Sequence, residues 1–253
     1  MPDRSSPFHV SRRRRALLVA VLLFGFAGLL VVKPWESGGV TVTPPMRELI
    51  QQVTGFGEQF PIVSAKWVTA TEANTPLLPV YLKNEKGIKV TLRPGRLKLK
   101  SLPADTEDKY ERHFSIFLNA DGSRVLAVTS AQPDKPPAIR SQIPLETDPN
   151  AETYQTFPKT LPKVTFLKAL ESTMDTPYLA ENIEGLYIIY SSKHAPDQKP
   201  PHPMWMITLR GVPNGRYPKE GPLDMCNGID PKTVELLFAT NVPIYRIPPS
   251  DAD

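Results

Sequence analysis

Cysteine occurs once in the 253 residues, at Cys226, and histidine only four times. A single thiol cannot close an internal disulfide, and so few thiols and imidazoles do not build a zinc framework. The chain also has no G-x-S-x-G elbow, phosphate-cradling glycine loop, H-E-x-x-H helix or calcium loop, so the chemistries those motifs carry lack a sequence basis. His9 precedes the long apolar run, leaving His113, His194 and His202. The stretch HAPDQKPPH sets His194 and His202 on either side of Asp197, wider than zinc pairs on regular elements, and reads as a solvated loop. No metal, no cofactor and no catalytic residue is expected. An N-x-[ST] sequon is missing too, which favours a bacterial envelope over a eukaryotic secretory route.

A nucleic-acid footprint is absent despite the formal charge of +4. Residues 1–33 hold six of the 30 Lys and Arg and one of the 26 acids, so the rest of the chain carries 24 against 25. The excess belongs to the N-terminus, and no basic stripe with interleaved aromatics follows it.

What the N-terminus does have is SRRRRALLVAVLLFGFAGLLVVKPWE. Residues 16–32 are 17 positions without charge or proline, a helix of about 26 Å and the short end for a bilayer span. The run is apolar on every face, unlike a helix in the core of a soluble domain. Lys33, Pro34 and Trp35 follow where a cleavage site would want small residues, so an uncleaved anchor over 16–33 is expected, with a cleaved signal peptide as the alternative. Arg4 and Arg12 to Arg15 precede the run and Lys33 alone directly follows it, which keeps residues 1–15 in the cytoplasm and sends the C-terminal part across the inner membrane. Trp35 stands at headgroup level.

Beyond a linker at 34–45, the 29 prolines fall mostly between apolar stretches. MRELIQQVTGFG has helical spacing at Met46, Leu49, Ile50 and Val53, closed by Gly55. IVSAKWVTA, PVYLKN, GIKVTLRPG and HFSIFLNADGSRVLAVTS read as strands, with Asp121-Gly122 supplying positive φ in a hairpin turn. LRPGRLKLK reads as a cationic edge strand that discourages pairing, with anionic headgroups as the alternative contact. Residues 132–162 are proline-rich and read as a linker or long surface crossing. KVTFLKALESTM then reads as a short amphipathic helix, followed by strands in GLYIIYSSKH, PMWMITLRGV and VELLFATNVPIYRI. The expectation is an α+β fold: a single transmembrane helix, then antiparallel sheets each packed with a short helix, in a first unit at 46–131 and a second at 163–253. Helix followed by strands twice over suggests duplication.

The closing stretches FLNADGSRVLAVTS and NGIDPKTVELLFATN, each an Asp-containing turn followed by a strand, resemble the last hairpin of the PepSY family of exported helix-plus-sheet domains. Ser123-Arg124 and Val234-Glu235 stand where that family has Gly-Glu. The resemblance implies a cystatin-like α+β sheet and a binding or inhibitory role at the cell envelope.

Three aromatics on neighbouring strand candidates, Tyr187, Tyr190 and Trp205, are the candidate partner-binding residues. Against this, Trp205 beneath the helix that starts near Val164 would be ordinary core. Cys226 reads as a small buried hydrophobe. The function expected is non-catalytic binding of a protein or peptide at the envelope. The alternatives are a hydrolase with dispersed carboxylates and a small subunit of a membrane complex.

Overall fold

Thr43 and the two prolines behind it start the first helix, α1 (Pro44–Thr54). The Thr43 hydroxyl accepts from the Met46 amide at 3.4 Å, and Pro44 and Pro45 occupy first-turn positions where an amide would be unpaired anyway. The prolines read as the end of a linker are thus inside the helix. Gly55 ends it at φ 75°, donating to the Gln51 carbonyl. The computed structural model describes residues 39–68, 86–99, 108, 110–131, 148–173, 176–193 and 200–241. The segment 1–15 expected in the cytoplasm, the expected anchor at 16–33, the PVYLKN stretch, His9, His194 and Asp197 lie outside the described residues. No described helix is long and apolar enough to cross a membrane.

Among the described residues nine strands follow: β1 (Ile62–Val68), β2 (Gly87–Leu92), β3 (His113–Leu118), β4 (Val125–Ala131), β5 (Thr153–Thr156), β6 (Asn182–Ser192), β7 (His202–Val212), β8 (Leu223–Ile229) and β9 (Leu236–Asn241). Between β5 and β6 come two further short helices, α2 (Phe166–Glu171) and α3 (Thr176–Leu179). All strands join one antiparallel sheet in the order β1-β2-β3-β4-β6-β7-β8-β9, with β5 also on β6. The chain ahead of α1 lies along β1, where the Val40 amide donates to the Ala65 carbonyl at 2.9 Å.

Alternation along the strands divides the apolar residues between two faces. Ile88, Val90 and Leu92, Phe114, Ile116 and Leu118, and Trp205, Ile207 and Leu209 pack with Ile50, Val53, Phe166 and Leu170 of the helices. Phe117, Ala127, Leu186, Ile188, Met206 and Cys226 form a smaller cluster on the opposite face. α1 rests on β4, and α2 and α3 rest on β7. Gly185 makes the close approach on β6 workable, because a Cβ there would collide with the Phe166 ring.

The α+β expectation is therefore corrected. The described chain is mainly β, one continuous nine-stranded antiparallel sheet with three short helices, and the sheets are not separate: Val128 and Thr129 of β4 pair with Gly185 and Glu184 of β6. The physical reason lies in two strands that composition conceals. β5 falls in the proline-rich tract, and β8 reads Leu-Asp-Met-Cys-Asn-Gly-Ile, rich in residues disfavoured in strands. Asp224 of β8 is tolerated because it accepts from the Gly211 amide at 3.1 Å and faces Arg210.

Two local readings change as well. Asp121 does not take positive φ; only Gly122 does, at 70°, since the turn closes from the Gly122 amide to the Asn119 carbonyl and Asp121 instead accepts from the Ser123 amide and hydroxyl. Those bonds hold the exposed Asp121 carboxyl below its ordinary range. In LRPGRLKLK the strand stops at Leu92. Leu97 and Leu99 are buried, held by amide bonds to Asp108 and to the Tyr178 hydroxyl.

Candidate functional site

β6 is longer than β4 and β5, and these two share one of its edges. β4 covers Glu184 and Gly185, while β5 covers Ile189 to Ser192. Neither supplies a register partner for Leu186, Tyr187 or Ile188. Past Thr156 the chain departs through Phe157–Pro158–Lys159–Thr160–Leu161–Pro162, and β4 begins at Val125 directly after the β3–β4 turn. The parting leaves a notch of about 250 Å³ lined by Val53, Ser123, Arg124, Val125, residues 157–162 and Tyr187.

Each wall has a fixed base. On the turn side, the Asn119 amide donates to the Arg124 carbonyl at 3.1 Å and the Arg124 amide to Asn119 Oδ1 at 2.9 Å. On the other side, Pro158 and Pro162 restrict the backbone. Beyond them Val164 is held twice: its amide donates to the Pro231 carbonyl at 2.9 Å, and its carbonyl accepts from Trp205 Nε1 at 2.7 Å. Tyr187 stands in the notch. Burial pushes its phenol above the ordinary range, partly offset by a hydrogen bond with the Thr160 side chain.

Electrostatically the notch is one-signed. Arg124 and Lys159 are both exposed, and neither has an ionic partner among the described residues. Among the described residues no carboxylate lines the notch. A second cleft of about 200 Å³, between α1 and the end of β1, carries both Arg47 and Glu58 and has no such bias.

The buried carboxylates are engaged elsewhere. Asp108 binds Arg112 at 2.6 Å, and Arg210 lies between Glu184 at 2.6 Å and Asp224 at 3.4 Å. Among the described residues no group of His, Cys, Asp and Glu could hold a metal.

The three aromatics do not form a strip. Tyr187 and Trp205 are register partners on one face with ring centroids 5.5 Å apart, but Tyr190 points to the other face beside Phe238 at 6.1 Å. Trp205 is fully buried against Phe166 of α2. Of the three, only Tyr187 reaches the notch. The sequence signal for its cationic neighbours is Pro-Lys-Thr-Leu-Pro, a cation and a hydroxyl held between two prolines.

Cys226 is buried opposite Thr208, and burial raises its thiol from 9.0 to about 11, with Thr208 and Arg210 pulling the other way. The folded state thus keeps a proton that the unfolded chain releases, so stability should fall as pH rises from about 9 to 11, by about 2–3 kcal/mol. Stabilities from urea titrations at successive pH values should fall more steeply with pH in the protein than in its Cys226→Ala variant over that window. Equal slopes would mean that the thiol does not contribute. Comparison with family models, characterised proteins and solved structures finds no match, so the notch is interpreted from its own geometry.

Proposed function

We propose that the chain is a membrane-anchored binding protein whose folded part lies outside the cytoplasm and holds an anionic group of a partner in the notch without converting it. The anchor is the run at 16–33, oriented by the arginines before it. The observation that carries the binding reading is the pairing of Arg124 and Lys159 at a concave break in the sheet, with no acid among the described lining residues to neutralise them. Unpaired cations around a cleft attract and orient anions.

Two measurements test this. A reporter fused after Asp253 should be active only outside the cytoplasm; activity confined to the cytosol would remove the envelope role. In the full chain reconstituted in nanodiscs, with Trp35→Phe and Trp67→Phe leaving Trp205 as sole indole, acetate or inorganic phosphate should change the emission through Tyr187. The change should disappear in Arg124→Gln/Lys159→Gln. An anion response that survives this double substitution would place the site elsewhere.

A further inference from the structure

The ligand can be narrowed further, on the reading that the notch binds an anion. We infer that the notch receives the free C-terminal carboxylate of a peptide or protein partner whose last residue is apolar.

The sheet supplies the first argument. On the shared edge of β6 neither β4 nor β5 pairs in register with Leu186 to Ile188; Leu186 and Ile188 are themselves buried, and Tyr187 is the residue of the three that lines the notch, bounded by β4 on one side and β5 on the other. Three residues of strand span roughly 10 Å. A strand running through would meet β4 or β5, whereas a chain end can enter and stop. The volume of about 250 Å³ agrees, being below the ~300–1,000 Å³ of pockets that enclose whole drug-sized ligands.

Charge chooses which end. An N-terminal ammonium would face Arg124 and Lys159 with like charge, and a C-terminal carboxylate would face them with opposite charge. Arg124 stands on a turn whose backbone is tied at both its amide and its carbonyl. A planar guanidinium on such a base suits the two oxygens of a carboxylate.

The rest of the lining chooses the side chain. Val53, Val125, Phe157 and the Tyr187 ring present apolar surface between the cations, and Leu161 at the rim is 52% exposed. A free phosphate would satisfy the cations and leave these walls wet. An apolar terminal residue covers them.

The test uses the full chain in nanodiscs with Trp205 as sole indole, read by emission and by hydrogen exchange at residues 121–125 and 157–162. The probes are acetyl-Ala-Ala-Leu with a free carboxylate, the same peptide as its amide, acetyl-Ala-Ala-Ser with a free carboxylate, and inorganic phosphate. The free leucine acid should bind saturably and protect both segments. The amide should bind at least about tenfold more weakly, the scale of one lost charge-assisted hydrogen bond. The serine acid should also be weaker, and Arg124→Gln/Lys159→Gln should bring the leucine acid down to its amide. Equal binding of acid and amide would overturn the inference. A response to phosphate without one to the leucine acid would overturn the ligand class while leaving the anion-binding reading standing. If no probe changes either readout, both fall.

Discussion

Replacing Arg112 by methionine is expected to cost about 3–5 kcal/mol of stability, the effect of stranding one member of a buried ion pair. In a chain of this size that is a fall in Tm of about 6–20 °C. Arg112 is fully buried. Its Nε and Nη2 donate to the two oxygens of Asp108 at 2.6 and 3.0 Å, and Nη2 also reaches the carbonyls of Pro177 and Ala180 at 2.8 and 2.9 Å. Asp108 in turn accepts from the amides of Leu97 and Tyr110. The pair therefore fastens the chain before β3 to α3 and the residue that follows it, segments distant in sequence. Methionine fills the volume but leaves the Asp108 carboxylate without its cation and the two carbonyls without a donor. Urea unfolding followed by far-UV circular dichroism measures the cost. Asp108→Leu/Arg112→Met should lose less than Arg112→Met alone, because an apolar pair strands no charge. A single-variant loss below about 1 kcal/mol, the level of an exposed pair, would show the network to be incidental.

Such a network is invisible in sequence, since Asp108 and Arg112 read as one more charged pair four residues apart. The strands that sequence does reveal are those with period-two apolar residues: Ile88, Val90 and Leu92 in β2, or Phe114, Ile116 and Leu118 in β3. α1 is legible for the same kind of reason, through Met46, Ile50 and Val53 and the glycine that ends it. β8 is not, because Asp224 and Asn227 disguise a strand whose polar groups are buried. Losing β5 had the larger consequence. Without it, residues 132–162 look like a linker between two units, β6 has one neighbour too few, and the parting of β4 from β5 cannot be anticipated. Tyr187 was legible as an aromatic on a strand. Arg124 and Lys159 were not, because only that parting brings them to one notch.

Trp205→Ala should be the other large loss, about 3–5 kcal/mol for a fully buried aromatic. The more informative replacement is Trp205→Phe. The indole packs 5.9 Å from the Phe166 ring and 5.5 Å from Tyr187, and its Nε1 donates to the Val164 carbonyl at 2.7 Å. Phenylalanine keeps most of the packing and removes the donor, leaving a carbonyl in the core unsatisfied at a cost of about 1–3 kcal/mol. That bond fixes the far end of the segment that carries Lys159 and Thr160. The loss should thus be felt first as faster hydrogen exchange across residues 157–165, ahead of any change in β7 itself. The wall of the notch would then loosen while Arg124, on its own tied turn, stays in place. Binding of acetyl-Ala-Ala-Leu, read by exchange since the indole reporter is gone, should weaken in Trp205→Phe although residue 205 never touches the ligand. Faster exchange with unchanged affinity would mean that Lys159 does its work without a fixed base, and the geometric basis for carboxylate recognition would then rest on Arg124 alone.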